Sequence, residues 1–204
     1  MRCCPASRAH TGTIALFYSL FSGREITVQN QDSLVSSRLR LATMSVCALR
    51  SELARHSRLG TILNAEVPHE WPPEHWEPHV FELLLKMFQE NGEQQRLCRY
   101  VLLPRQGAIP LLIGVVNGFL WPERPGEIEI GYSILSAFQR NGYGYEATER
   151  VVQFLSEDWP HHGLMAQTYP QLTGSVRILE KLGFQPDGPG QEEGVVVFRR
   201  PVSG

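Results

Sequence analysis

Three absences narrow the field before any motif is read. No two of the four cysteines, Cys3, Cys4, Cys47 and Cys98, stand in C-x-x-C spacing. A chain of 204 residues is also large enough to build a core without staples, so disulfides and a cysteine-held metal are not expected, and a reduced, cytoplasmic protein is the simplest reading. Charge of one sign is missing too: 19 Lys and Arg stand against 21 Asp and Glu. With a net charge of −2, no overall field draws the chain to nucleic acid or to an anionic membrane. Long apolar runs are the third absence. "TIALFYSLF" (Thr13–Phe21) falls far short of the ~20 residues needed to cross a bilayer. Arg2 and Arg8 ahead of it resemble a signal n-region, yet Leu20 and Phe21 occupy the positions where cleavage wants small residues. Residues 1–33 are therefore expected to be a poorly ordered extension, and residues 34–204 a single domain.

Within that domain the periodicity changes along the chain. "RLRLATM" (Arg38–Met44) alternates as a strand does. Ser45–Leu63 reads as a helix interrupted at Gly60. A bent, proline-rich connector follows, and Pro78–Gln89 reads as a helix that Gly92 stops. Arg99–Leu103, Leu111–Phe119, Glu127–Leu135 and Gly163–Tyr169 are strand-like. Short loops between the first three predict an antiparallel meander. Tyr145–Trp159 reads as an amphipathic helix, with Ala147, Val151, Phe154 and Leu155 on one stripe and Glu146 four residues before Arg150.

Two stretches carry chemistry. In "EIEIGYSIL" the residues Ile128, Ile130, Tyr132 and Ile134 share one face, while Glu127, Glu129, Gly131 and Ser133 share the other. The two carboxylates lie roughly 7 Å apart along that face. Under a cleft, burial and mutual repulsion would raise the pKa of one of them and make it a proton acceptor; on a wet face they are simply solvated. In "FQRNGYGYEA" the glycines Gly142 and Gly144 stand where the helix begins. Backbone N–H groups lack partners there and the helix dipole is positive. Such a loop, with Arg140 beside it, suits a diphosphate; it also suits a tight turn.

A strand, then Q-x-x-G-x-G, then a helix resembles the signature of the GNAT acyltransferase superfamily, written here with Gln139, Gly142 and Gly144. Downstream, in "GSVRILEKLGF" (Gly174–Phe184), Val176, Leu179 and Leu182 make an apolar helical stripe that Gly183 closes, with Phe184 packing back after it. The stretch is similar to the corresponding one of the ribosomal-protein alanine N-acetyltransferase branch. The resemblance implies a twisted mixed sheet, mostly antiparallel, with helices on both faces (an α/β, or α+β, fold). Strands Glu127–Leu135 and Gly163–Tyr169 would run parallel and splay, and acetyl-CoA would lie in the gap. Its pantetheine arm would pair with the backbone at Ile134 and Leu135. Its diphosphate would rest on Gln139, Arg140, Asn141, Gly142, Tyr143 and Gly144. Arg177, with Lys181, would meet the adenosine phosphate or be solvated surface.

The implied reaction is direct acyl transfer to the primary amine of a small molecule or of a peptide or protein N-terminus. The implied base is Glu129 acting through water, with Glu127 second. A backbone N–H near Ile134 would bind the developing oxyanion. Two positions depart from the pattern. Leu179 stands where many relatives have an acidic tyrosine, and Leu172 where an asparagine is usual, so Ser175 is the substitute proton donor. These departures keep an alternative open: an acyl-CoA-binding module with little or no turnover. No metal, nucleic acid or membrane partner is expected, and the protein would be a monomer or a homodimer. Trp71 and Trp76, with His69, His75 and His79 on the connector, could form an aromatic wall for the acceptor or pack as an ordinary loop.

Overall fold

The protein is described by a computed structural model covering residues 33–55 and 58–201. The apolar run Thr13–Phe21, and all but the last residue of the 1–33 extension, lie outside the described residues. Eight strands form one sheet: β1 (Leu34–Val35), β2 (Arg40–Thr43), β3 (Cys98–Arg105), β4 (Ala108–Phe119), β5 (Glu127–Ile134), β6 (Gly163–Thr168), β7 (Gln185–Pro189) and β8 (Val196–Arg200). Their spatial order is β1-β2-β3-β4-β5-β6-β8-β7. Every neighbouring pair is antiparallel except β5 and β6. A parallel pair needs a crossover, and α5 (Tyr143–Asp158) supplies it.

Helices cover both faces, as the resemblance implied. On one side α5 and α6 (Thr173–Lys181) press Ala147, Val151, Leu155 and Leu179 onto Val116, Ile128 and Ile130. On the other, α1 (Val46–Leu53), α2 (Leu59–Leu63) and α3 (Pro78–Glu90) bury Leu49, Leu59, Phe81 and Leu84 against Tyr100, Leu102 and Val115. The isoleucine face of β5 is thus core. Among the described residues no helix is long and apolar enough to cross a membrane.

Several boundaries move from the sequence expectation. The helix expected over Ser45–Leu63 is two helices. The break falls at Arg55, whose φ of 57° ends α1, and Gly60 lies inside α2. Gly92 begins a further helix, α4 (Gly92–Arg96), because the Asn91 side chain accepts a hydrogen bond from Glu93 N–H and caps it. The β7–β8 hairpin was not expected. Strand β7, "QPDGP", is exposed along its length at the sheet edge, the place where proline is tolerated in a strand.

Candidate functional site

The splay expected between the parallel strands is present. β5 and β6 are in register only from Glu127–Gly163 to Glu129–Met165, after which both continue without pairing to each other. Glu129 therefore stands at the fork. The Leu135 N–H bonds the Ile113 carbonyl on the antiparallel side. Since backbone groups alternate sides along a strand, odd-numbered residues of β5 face β4, whereas Tyr132 and Ile134 point their amides into the gap. Leu135 is thereby corrected as a pairing residue: its N–H goes to Ile113 and its carbonyl accepts from Phe138 N–H. The Ile134 carbonyl accepts from Gln139 Nε2 at 2.9 Å, so Gln139 ties the loop to the end of the strand.

The loop beyond has two left-handed residues within three positions, Arg140 with φ 63° and Gly142 with φ 82°. Such alternation curls successive N–H groups toward one point. Gly142 is the N-cap of α5, and no side chain caps it. The N–H groups of Tyr143, Gly144 and Tyr145 have no acceptor among the described residues; Glu146 N–H is the first to bond back, to the Gly142 carbonyl. A Cβ on Gly144 would meet Ile178 Cδ1 at 3.3 Å, so this glycine also lets α6 approach. Asn141 Nδ2 donates to the Phe138 and Gln139 carbonyls, fixing the turn. Arg140 and Asn141 are exposed, Tyr143 half-buried. Free N–H groups at the start of a helix, where the dipole is positive, are the kind of donor set that can receive an anion.

Glu146 was expected to pair with Arg150, four residues on. It does not. The Arg150 guanidinium reaches the Val35 carbonyl instead. Glu146 accepts from the hydroxyls of Ser36 (2.7 Å) and Ser37 (2.9 Å), from Arg38 N–H (2.7 Å) and from Arg38 Nε (2.7 Å). Burial pushes its carboxyl up, but the Ser36, Arg38 and Ser37 hydrogen bonds outweigh that and hold it below the ordinary range.

The two glutamates of β5 are neither bare nor opposed. Arg124 pairs with Glu129 Oε2, which also accepts from Trp121 Nε1 at 2.8 Å, while Gln167 Nε2 donates to Oε1 at 3.0 Å. Glu127 pairs with Arg199 at 2.8 Å, and Arg199 also grips Asp187. Mutual repulsion, invoked from sequence, is thus answered by one arginine on each carboxylate.

On α6, Leu179 is fully buried and Leu172 sits at the N-cap without a side-chain bond. Ser175 Oγ lies 3.0 Å from the Tyr132 hydroxyl, which also reaches the Ser175 carbonyl at 3.1 Å. Burial pushes the Tyr132 phenol up to about 12, the Ser175 hydrogen bond acting against it, so it keeps its proton at neutral pH. Arg177 is exposed, and Lys181 lies over the Tyr145 ring.

Of the two readings of the connector tryptophans, the structure shows ordinary packing. Trp71 and Trp76 are buried: Trp71 Nε1 donates to Glu52, and Trp76 packs on Phe81. His75, at φ 69°, precedes the helix that holds His79, so the two do not share a helical face. The aromatic surface near the fork is instead Phe119 stacked on Trp121, ring centres 5.9 Å apart. Glu74 of the connector meets β5 through its carbonyl, which accepts from Ser133 Oγ at 3.3 Å. Sequence reading missed Arg38, Trp121, Arg124, Gln167 and Tyr132 as site residues. None lies in either motif except Tyr132, which periodicity had marked only as core.

The family model described as "Acetyltransferase (GNAT) domain" matches residues 49–185. Among curated proteins, the chain is 27% identical over 155 residues to the "Uncharacterized N-acetyltransferase YjdG" of Bacillus subtilis, spanning 74% of this chain and 88% of that one. The fold is shared with a GnaT-family acetyltransferase structure from Bordetella pertussis, at a TM-score of 0.61 and 20% identity over 83% of this chain and 99% of that one. It is shared also with RimL, a ribosomal L7/L12 alpha-N-protein acetyltransferase solved with coenzyme A, at a TM-score of 0.54 and 16% identity over 82% and 96%. With more than half its length matched, and with the fork and glycine loop in place, the chain belongs to the GNAT acetyltransferase family.

Proposed function

We propose that the protein transfers an acetyl group from acetyl-CoA to the primary amine of a small molecule or of a peptide or protein N-terminus. The observation that carries this reading is one fork holding three things together: backbone amides directed into a gap, an uncapped helix N-terminus and a carboxylate. The N–H groups of Tyr143, Gly144 and Tyr145, with Gln139, Arg140, Asn141 and Gly142 shaping the turn, would hold the diphosphate. Tyr132 and Ile134 would pair with the amide-bearing arm as an added strand does. Arg177, exposed on α6, would meet the outer phosphate.

Acetyl-CoA, once bound, supplies an acyl group activated as a thioester. The chain's residues do the rest. An amine is mostly protonated at pH 7 and must lose a proton to attack; Glu129 takes it through water, with Glu127 as the second candidate. A free backbone N–H near Ile134, that of Tyr132, would bond the acyl oxygen as charge grows on it. Ser175, braced by the Tyr132 hydroxyl, would pass a proton to the departing sulfur as the C–S bond gives way to the new C–N bond, and would be reprotonated by the proton that the attacking nitrogen sheds on becoming an amide.

The test mixes purified protein with acetyl-CoA and a panel of amines and peptides and follows free thiol. Thiol release with at least one amine is expected. The buried Leu179 supports a second reading, a binding module without turnover. Heat on titration with coenzyme A, but no thiol with any acceptor, would select it. Absence of binding would end both.

A further inference from the structure

Arg38 lies in the turn between β1 and β2, 103 residues before Asn141, yet it touches the glycine loop on three sides. Its Nη1 donates to the Asn141 carbonyl at 3.1 Å. Its guanidinium lies over the Tyr143 ring, 4.6 Å from the centroid. Its Nη2 stands 3.3 Å from where a Cβ on Gly142 would be. Nε is held by Glu146 at 2.7 Å. The N–H groups of Nη2 have no acceptor among the described residues, and the side chain is 47% exposed.

We propose that Arg38 is a diphosphate-binding residue, the side-chain cation of the anion site formed by Gln139–Gly144 and the first turn of α5. The inference rests on the acetyl-CoA reading above. Two physical arguments carry it. Glu146 places a carboxylate in the first helical turn, beside the site meant for an anion. Left bare it would repel a diphosphate, and Arg38 with Ser36 and Ser37 covers it. The same pairing spends Nε, which fixes the plane of the guanidinium and leaves Nη2 against the loop. The two N–H groups of Nη2 can each meet a phosphate oxygen, and a charge-assisted bond there is the strong kind. A residue serving only to fasten β1–β2 to α5 would need neither the Asn141 contact nor the approach to Gly142.

Calorimetry on the full chain tests this with two ligands, coenzyme A and pantetheine, the same arm without the diphosphate and the adenosine phosphate that it carries. Arg38→Ala, compared in a Glu146→Gln background so that no bared carboxylate repels the ligand, is expected to weaken coenzyme A about 10- to 100-fold and to leave pantetheine unchanged. Unchanged coenzyme A affinity overturns the proposal. So does an equal loss for both ligands, which marks a fastening role alone. Should Arg38→Ala not fold, Arg38→Lys decides in the same way: it keeps the charge but cannot span Glu146 and the loop together, so a selective loss for coenzyme A supports the proposal and no loss overturns it. If the parent protein binds pantetheine but gains nothing from the diphosphate of coenzyme A, the Arg38 assignment falls alone; if it binds neither, the acetyl-CoA reading falls first and takes Arg38 with it.

Discussion

At the scale of single residues, charge partners decide what each carboxylate can do. Glu129 is offered as the proton acceptor because it stands where β5 and β6 part, with Trp121, Arg124 and Gln167 fixing its orientation. Glu129→Gln keeps the shape and removes the proton site. We expect turnover to fall by about 100-fold or more, with coenzyme A affinity by calorimetry unchanged. A surviving rate with an unmoved pH profile would reject the assignment. Glu146 makes a different prediction. Its carboxyl is held below the ordinary range in the folded protein, so its contribution to stability is complete above about pH 4.3, the unfolded value, and is lost as pH falls through the lower folded value. Melting Glu146→Gln beside the parent should show a clear deficit at neutral pH that shrinks as the pH falls below the ordinary carboxylate range. A deficit constant over that range would mean that packing, not the charge, matters there.

At the scale of elements, each end of α5 and α6 has its own job. The N-terminus of α5 is left uncapped, which is useful only if something else satisfies its amides. The N-terminus of α6 is uncapped too, but there the cap position carries Leu172, 47% exposed and with no polar group to offer. Leu172→Asn should gain about 0.5–2 kcal/mol through a side-chain cap, read as a higher midpoint in denaturant unfolding; no gain would mean that the local backbone does not accept the cap. The other end of α6 follows the sequence reading closely. Gly183, at φ 81°, closes it with its N–H on the Glu180 carbonyl, and Phe184 N–H returns to Leu179. Strand β5 was legible for the same reason: its alternation is written in eight consecutive residues, and the isoleucines went inside. The division of the expected Ser45–Leu63 helix was not legible, since the glycine in that run sits within α2 and the left-handed residue that ends α1 is an arginine.

At the scale of the whole molecule, two cores share one sheet, and the proposed site lies where that sheet opens. Leu155 is fully buried in the core beneath α5. Leu155→Ala should cost about 2–5 kcal/mol, seen as a lower denaturant midpoint at unchanged slope; a loss well under that range would show that the helix closes over the gap. Order matters as much as burial. Because β5 lies between β4 and β6, its odd residues spend their amides on β4 and its even ones face the fork. That single fact removes Leu135 from the candidate pairing residues and leaves Ile134.

What the sequence determined alone was whatever repeats or punctuates locally: the strands of the meander, the amphipathic helices, the glycine loop and the closing glycine of α6. Period and backbone freedom are properties of neighbouring residues, so a short window contains them. Which side chains meet was decided only in three dimensions. Arg38 reaches Asn141, Arg199 reaches Glu127, Gln167 reaches Glu129, and the two tryptophans of the connector turn inward. Those meetings follow from strand order and register, and no local pattern carries the register of two strands that lie far apart in the chain.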